Sequence, residues 1–244
     1  MSPSVGSLPL AAELTEDLSA KCIIRDKIFA LFASFAFQAF PFFLNRLTAS
    51  VKSATILTIS PGRHRLTYHE YLLTPEDRLY ELIAGELHMT PAPLTFHQTI
   101  AKRLFRALDR FVDRTGLGEV FFAPCDVYFS RWDVVQPDVL FIASMRLGIV
   151  KERCIEGAPD LVVEILSPAT AERDRALKLP LYSRHGVQEC WLVDPQGRSV
   201  EIYVRCDAEL QLGRTYREDD DLESPLLARF SFSLAGLFAP LATK

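Results

Sequence analysis

The sequence predicts an α/β fold, with features of α+β, in which helices flank a central mixed β-sheet. Apolar residues recur with helical spacing over residues 95–115 and 170–184. Short apolar runs bounded by turn residues occupy most of the chain around these two helices. The 244 residues include 17 Phe, 7 Tyr and 2 Trp, which excludes whole-chain disorder and provides apolar surface for a sizeable core.

Two short elements precede the first long helix. Residues 66–72 predict a short helix with Thr67 as its N-cap, because a hydroxyl can accept hydrogen bonds from the free amides of a first helical turn. The dipeptide Ala84-Gly85 lies between the stretches 80–83 and 86–89, and this arrangement predicts a β-hairpin.

The second half of the chain is richer in strands. Apolar runs predict a central sheet of about five strands. The runs cover residues 119–123, 127–130, 134–142, 161–166, 187–194 and 200–205. Pro180 is expected to disturb the helix over 170–184, because proline lacks the amide hydrogen that a helix interior requires. We expect the acidic residues of 218–223 to form a solvated loop and the apolar end 226–238 to pack against the body.

Residues 1–60 differ from the rest and are interpreted as an N-terminal extension outside a domain spanning 61–244. Within it, the segment 28–44 is uncharged and dense in Phe, as in a signal or membrane anchor. The segment contains Pro41 and is shorter than the roughly 20 residues of a typical span. We therefore favour a loosely attached or upstream segment, and membrane association through 28–44 is the alternative.

Charge and cysteine content exclude some classes of protein. The net charge is −4, so the chain is not a strongly basic nucleic-acid coat protein. Five cysteines without a CxxC motif predict neither a disulfide framework nor a cysteine zinc site, and indicate a reducing, cytoplasmic setting. Basic residues concentrate on the two long helices, either bordering one cleft or as solvated faces. They are Lys102, Arg103, Arg106 and Arg110 on the first, and Arg173, Arg175, Lys178 and Arg184 on the second.

Glu164 is the most informative position in the sequence. It lies within the apolar run 161–166, which predicts a strand buried on both faces. A buried carboxylate is costly unless it is paired, protonated or bound to a metal ion. We interpret Glu164 as functional, with a buried salt bridge as the structural alternative. Asp138, before another apolar strand, is a weaker candidate because Pro-Asp also occurs in ordinary turns.

Asp174, Lys178 and Tyr182 are spaced by four residues, so one face of the predicted helix carries all three. Leu177 and Leu181 form a neighbouring apolar stripe. This pattern places the Lys178 face at the edge of the buried side, within reach of the acid in the adjacent strand. The structural alternative is an Asp–Lys pair on a solvated face.

Two acids and a lysine at strand ends predict a site for a divalent cation. Mg²⁺, or Mn²⁺ in its place, prefers carboxylate oxygens and water as ligands. Such an ion lowers the pKa of a bound water and offsets negative charge during phosphodiester hydrolysis. The sequence contains no GxSxG, P-loop, HExxH or GxGxxG motif, so other common catalytic classes have no support.

Three segments of the chain carry a family pattern. They read Tyr80-Glu81-Leu82-Ile83-Ala84-Gly85-Glu86-Leu87, Pro137-Asp138-Val139 and Pro159-Asp160-Leu161-Val162-Val163-Glu164-Ile165-Leu166-Ser167-Pro168. Over about residues 66–238 the chain resembles the Uma-two endonuclease family, a branch of the PD-(D/E)xK restriction-endonuclease-like superfamily. The resemblance implies a restriction-endonuclease-like fold and metal-dependent hydrolysis of DNA.

The resemblance also implies roles for individual residues. Asp138 and Glu164 would bind the metal ion, Glu81 would be a further acid, and Lys178 would activate or position the attacking water. The superfamily's lysine two residues after the acid is Leu166 here, so Lys178 is taken as its substitute.

Four further residues are candidates for supporting roles. Glu86 is a weaker acidic candidate on the hairpin, where exposed acids are common. His97 would contact phosphate or cap the start of the long helix. Asp174 and Tyr182 are expected to orient Lys178.

The sequence therefore predicts a Mg²⁺- or Mn²⁺-dependent DNA endonuclease, with RNA as an open alternative substrate. A homodimer is compatible with cleavage of both strands. The displaced lysine and the weakly acidic charge support a rival interpretation, an inactive nucleic-acid or protein binding module on the same fold.

Overall fold

The computed structural model describes residues 65–75 and 78–241. The predictions for residues 1–60, including the apolar segment 28–44, lie outside these residues. In the part of the chain that is described, none of the helices combines the length and the apolar character needed to cross a membrane.

Helices and strands alternate irregularly along the chain. In order they are α1 Tyr68–Tyr71, β1 Leu79–Ile83, β2 Glu86–Thr90, α2 Thr95–Thr115, β3 Gly118–Phe122, β4 Val127–Ser130, β5 Asp133–Val135, β6 Val139–Ala143, β7 Ile155–Glu156, β8 Leu161–Ile165, α3 over 171–185, β9 Glu189–Asp194, β10 Ser199–Cys206, β11 Glu209–Arg217, β12 Asp221–Glu223, β13 Ser231–Ser233 and α4 Leu234–Phe238. A 3₁₀-helix, Ser144–Ile149, follows β6.

The central mixed sheet that the sequence predicts is confirmed, with six strands rather than about five. Its order is β11-β10-β9-β8-β6-β3. Strands β8 and β9 are parallel and are connected by α3, whereas the other neighbours are antiparallel. Strand β11 was not predicted from the sequence. Most of its residues are exposed and polar, so it contains no apolar run.

The prediction of a single strand over 134–142 is wrong. This segment forms parts of two strands, which lie in different sheets. Strand β5 joins a second sheet of order β2-β1-β5-β4-β7, whereas β6 lies in the central sheet. The break falls at Gln136, Pro137 and Asp138. Proline cannot donate a ladder hydrogen bond, so the chain leaves one sheet here and enters the other.

The predicted hairpin is confirmed as β1 and β2, whose register runs from Leu79 opposite Thr90 to Ile83 opposite Glu86. Ala84 and Gly85 both have positive φ values, 52° and 80°, as the tight turns favoured in hairpins require. A Cβ atom at Gly85 would lie 2.7 Å from the Cβ of Arg65, so glycine is also needed for space.

Helix α2 begins and ends where the sequence predicts, and Gly116 terminates it with a φ of 65°. The short predicted helix is the single turn α1. Thr67 precedes it, and its amide and hydroxyl donate to the Glu70 carboxylate at 2.7 and 3.0 Å. Both helices therefore follow from local sequence signals.

The central sheet is buried on both faces because its strands alternate apolar side chains between two cores. One core contains residues of α2, α4 and alternate strand positions such as Phe141 and Val163. The other contains residues of α3, the second sheet and the intervening positions such as Leu140 and Val162. The apolar C-terminal end packs into the first core, as predicted.

The prediction of a solvated acidic loop is wrong for part of 218–223. Residues Asp221–Glu223 form β12, which pairs with β13, because Leu222 is buried in the first core and fixes this segment against the body.

Asp133 joins β5 to the hairpin. Its carboxylate accepts hydrogen bonds from the Ala84 amide at 2.8 Å and the Ser130 hydroxyl at 2.7 Å, and lies 3.6 Å from His185 Nε2. Burial opposes ionisation, but these partners outweigh it and lower the pKa of Asp133 to about 2.

We predict that Asp133→Asn lowers the free energy of unfolding at pH 7 by about 1–3 kcal/mol, because an acceptor of buried donors is lost. The depressed pKa stabilises the wild type above about pH 4, the ordinary carboxyl range, and this contribution is lost as pH falls towards 2. Urea unfolding across this range would measure the difference. Asp113→Asn, at an exposed site, should change stability by less than about 0.5 kcal/mol, and equal effects of the two substitutions would contradict the prediction.

Candidate active site

Asp138 and Glu164 come together through the register of two antiparallel strands. Val139 of β6 lies opposite Val163 of β8, so the next pair along the strands places Asp138 opposite Glu164. Directly opposite residues point to the same face of a sheet. The Ile165 amide donates to Asp138 Oδ2 at 2.7 Å, which fixes the carboxylate beside β8. The two predicted metal ligands are therefore neighbours.

Glu164 is buried, as predicted, with 3% of its surface exposed. Lys178 Nζ donates to both of its carboxylate oxygens at 3.1 Å, and the Tyr182 hydroxyl donates to Oε1. The buried salt bridge considered as the structural alternative is thus present. Burial alone does not distinguish a structural from a functional role for Glu164. The residues around the Glu164–Lys178 pair are needed to distinguish them.

Helix α3 carries the predicted face of three polar residues into the interior. It consists of an α-helical turn Ala171–Arg173, a π-helical turn Asp174–Lys178 and an α-helical segment Leu179–His185. The Leu179 amide donates to the Asp174 carbonyl, the i to i−5 bond of a π-helix. The irregularity expected at Pro180 is present just before it.

The predicted position of this face at the edge of the buried side is wrong, because the face is fully buried. Asp174, Lys178 and Tyr182 are 2%, 3% and 0% exposed, whereas Leu177 is 40% exposed. The reason is electrostatic: carboxylates from two sheets surround the ammonium and compensate its desolvation.

Glu81, on β1, is also buried rather than being a surface acid of the hairpin. Its Oε1 lies 2.7 Å from Lys178 Nζ and accepts the Gln136 amide at 3.1 Å. Its Oε2 lies 3.3 Å from the Arg173 guanidinium. Lys178 therefore links an acid of the second sheet to Glu164 of the central sheet.

The ionisation states follow from this geometry. Burial would lower the pKa of Lys178, but the carboxylates of Glu164, Glu81 and Asp174 outweigh it and raise the pKa above its usual value. Lys178 is thus an ammonium ion. Burial raises the pKa of Glu164, and the nearby ammonium offsets only part of that effect. Burial likewise raises the pKa of Tyr182, which remains a hydrogen-bond donor.

His97 lies in the first turn of α2, with Nε2 3.4 Å from Asp138 Oδ2. Burial would lower its pKa, but the hydrogen bond with Asp138 outweighs this and raises the pKa. In the described region its side chain makes no capping hydrogen bond to the helix start, and Nδ1 is buried without a hydrogen-bond partner. The capping role is therefore not seen among the described residues, and contact with phosphate stays a prediction.

These side chains line a cavity of about 410 Å³. Its charged and titratable lining residues are Glu81, His97, Asp138, Glu164, Arg173, Asp174 and Lys178. Tyr182 lies behind Glu164 and does not line the cavity. Glu86, the weaker acidic candidate, is exposed at the start of β2 and does not line it either. The structure thus gathers most, but not all, of the predicted site residues.

The cavity carries an excess of negative charge. Four carboxylates, those of Glu81, Asp138, Glu164 and Asp174, face only two permanent cations, Arg173 and Lys178. Within the described residues, Glu81 Oε2 and Asp174 Oδ1 are buried without a hydrogen-bond partner. No group of three or more His, Cys, Asp or Glu side chains among these residues is already gathered closely enough to hold a metal ion.

Sequence reasoning assigned no role in the site to Arg173 and Gln136. Arg173 appeared only as part of a basic cluster, yet its guanidinium contacts Glu81 and lines the cavity. Gln136, the residue before Pro137, supports Glu81 through its amide. Arg173 is adjacent to Asp174 in the sequence, and Gln136 lies two residues before Asp138. This proximity is the sequence signal that could have identified them.

Other buried acids show that burial does not by itself mark the site. Asp160, in the second Pro-Asp pair, accepts hydrogen bonds from Arg146 and the Ala143 amide and has no place in the cavity. Glu189 accepts hydrogen bonds from Trp191 Nε1 and the Ser224 hydroxyl. Both of these acids are structural.

The fold and the site together define an α/β protein with an acidic cavity at the junction of two sheets. A family model for Uma2, described as "Putative restriction endonuclease", matches residues 66–235. The match covers well over half of the chain, and the chain therefore belongs to this family. The resemblance inferred from the sequence is confirmed.

The fold is also similar to that of a solved structure, described as a "putative nuclease" from Anabaena variabilis ATCC 29413. The TM-score is 0.60 and the sequence identity is 23%, with 71% of this chain and 97% of that chain covered. At this identity the likeness shows the fold, which confirms the predicted fold class. A search of curated proteins gave no significant match.

We predict that Lys178→Met lowers the free energy of unfolding by about 3–5 kcal/mol at pH 7, because Glu81 and Glu164 are left buried without their cation. The deficit in the free energy of unfolding should narrow at pH 5, because burial raises the pKa of Glu164 and favours its uptake of a proton. Urea unfolding at both pH values would measure it. Arg175→Met, which breaks a more exposed pair with Glu201, should cost at most about 1 kcal/mol; an equal loss in both variants would refute this account.

Proposed function

We propose that the protein is a metal-dependent endonuclease that hydrolyses phosphodiester bonds in DNA. The observation that carries the proposal is the pair of Asp138, directly before β6, and Glu164 on the neighbouring strand β8. Both line a cavity of excess negative charge that also contains a buried ammonium. Membership of the Uma2 family supports the reaction class.

The donor set suits Mg²⁺ or Mn²⁺. Hard divalent cations prefer carboxylate oxygens and retain several waters, so two protein carboxylates are sufficient. Four carboxylates facing two permanent cations leave negative charge in the cavity, which one such ion would offset. Asp138 and Glu164 would hold it, and the ion would lower the pKa of a bound water and offset charge on the scissile phosphate.

Lys178 would act as a fixed positive charge. The superfamily pattern implies either activation or positioning of the attacking water for this lysine. A raised pKa favours positioning and charge stabilisation, because an ammonium cannot accept a proton. Its bonds to Glu81 and Glu164 hold the two acids in place.

Arg173 and His97, which both line the cavity, would contact the phosphate. Arg173 is a permanent cation whose planar donors match phosphate oxygens. His97 presents a ring nitrogen beside Asp138 and donates a hydrogen bond when protonated. Tyr182 would orient Glu164 from behind, and Asp174, itself in the cavity wall, would orient Lys178.

We predict metal-dependent cleavage of plasmid DNA by the purified protein. Glu164→Gln, Asp138→Asn and Glu81→Gln should each lower the cleavage rate about 100-fold or more. EDTA should abolish cleavage. Glu86→Gln is the matched control on the same hairpin as Glu81 and should retain the wild-type rate. Cleavage that survives Glu164→Gln would assign the activity elsewhere.

Metal binding separates the enzyme from the rival interpretation, a catalytically inactive binding module on the same fold. At a hundredfold excess over its Kd, a bound Mn²⁺ stabilises the folded state by about 2.7 kcal/mol, which raises Tm by about 5–10 °C for a chain of this size. We predict this shift for the wild type and for Asp113→Asn, but not for Asp138→Asn. Absence of a shift in the wild type would favour the binding module.

Because cleavage of both DNA strands requires two sites, a homodimer on duplex DNA is part of the same proposal. A cytoplasmic location is a further part of it. RNA is the alternative substrate. Light scattering of the protein bound to a short duplex would test the dimer, and a 1:1 complex that cuts both strands would refute it.

A further inference from the structure

A second charged cavity lies outside the candidate active site. It is a groove of about 1020 Å³ between α2 and the segment 229–236, and it shares no lining residue with the acidic cavity. Five arginines line it: Arg103, Arg106, Arg110, Arg114 and Arg229. Asp113 is the one carboxylate among its lining residues in the described region. We refer to it as the arginine groove.

The arginines of the groove are available to a ligand. Within residues 65–75 and 78–241, the side chains of Arg106, Arg110 and Arg229 form no ion pair or hydrogen bond, and all three are exposed. Arg114 donates, among the described residues, only to the Arg110 carbonyl. Arg103 donates to the carbonyls of Leu237 and Ala239, which holds the C-terminal segment against α2 and shapes the groove.

The spacing of these arginines suits a polyanion with regular charges. From Arg103 to Arg114 the helix rises about 17 Å, a length over which one strand of duplex DNA carries about five phosphates. Arginine binds phosphate oxygens with two parallel donors. The serine hydroxyls of Ser231 and Ser233 lie on the opposite wall and can donate to the same oxygens.

A protein partner fits the groove less well. Protein interfaces depend on large apolar or aromatic side chains that enter pockets. None of the groove's lining residues is a large exposed apolar side chain. The sequence left open whether the basic residues of the two long helices border one cleft. They do not: Arg103, Arg106 and Arg110 of α2 line the arginine groove, and Lys102 does not. Arg173 lines the acidic cavity, and Arg175 pairs with Glu201.

We propose that the arginine groove is a second nucleic-acid contact, which binds the phosphate backbone of duplex DNA away from the cleavage cavity. The inference rests on the proposed function only in the choice of DNA as the polyanion. The groove would hold long substrates to the protein without contacting the phosphate that is cleaved.

The test compares two double variants with equal change of charge. Arg106→Gln with Arg110→Gln removes two groove arginines; Lys102→Gln with Arg184→Gln removes two exposed cations that do not line the groove. Binding of the full chain to a labelled 30-base-pair duplex would be measured by fluorescence anisotropy in EDTA, between 50 and 200 mM salt. Circular dichroism would verify that both variants are folded.

The groove variant should bind about tenfold more weakly at the lowest salt, and the slope of log K against log salt should fall in magnitude by about 1.8, or 0.9 for each lost phosphate contact. The control should remain within twofold of wild type. Equal binding by the two variants would overturn the proposal, as would a wild type that binds polyglutamate but not duplex DNA.

Cleavage distinguishes this proposal from the proposed function. With Mn²⁺, the groove variant should show a KM for long duplex DNA about tenfold higher and an unchanged kcat. It should hydrolyse a small chromogenic phosphodiester at the wild-type rate. A wild-type protein that binds DNA but never cleaves it would refute the proposed function. The comparison of DNA binding by the two double variants would still test the role of the groove. An unchanged KM in a cleaving groove variant would refute the groove alone.

Discussion

The buried ammonium of Lys178 is the constraint on which the rest of this structure depends. It lies among carboxylates from three separate parts of the chain: Glu81 of the second sheet, Glu164 of the central sheet and Asp174 of the connecting helix. None of these charges is tolerable in the interior without the others, because desolvation of an unpaired ion outweighs ordinary packing gains. The same contacts therefore join the two sheets and form the wall of the candidate active site.

Much of the fold and part of the site could be predicted because the relevant signals are local. The hairpin turn follows from Ala84-Gly85 between two strand-like stretches, and the positive φ values of both residues agree with it. The long helix follows from an apolar stripe and a terminating glycine. Glu164 is conspicuous because an acid interrupts a run of apolar residues, and its burial is confirmed. Each of these inferences needs only a few consecutive residues.

Other features could not be predicted because they depend on pairing between distant segments. Glu81 has the sequence context of an exposed hairpin acid, and it is buried because β1 packs where Lys178 arrives from a helix far along the chain. The division of 134–142 into two strands depends on which distant strands β5 and β6 pair with, and these lie in different sheets. Arg173 enters the site through its contact with Glu81, which lies on a different sheet and far away in the sequence. Local patterns carry no information on these arrangements.

The π-helical turn also limits how the gene can vary in length. A π turn accommodates one residue more than an α turn, so the segment Asp174–Lys178 is in effect an α-helix with a single-residue insertion. Deleting one residue there would leave the positions of Asp174 and Tyr182 seven residues apart in a regular α-helix, within about 20° of two full turns, so both would keep the same face. A deletion in the regular part of the helix would instead rotate one end by about 100° relative to the other. Among losses of one codon in this helix, only a loss within the π-helical turn would therefore keep both ends in place.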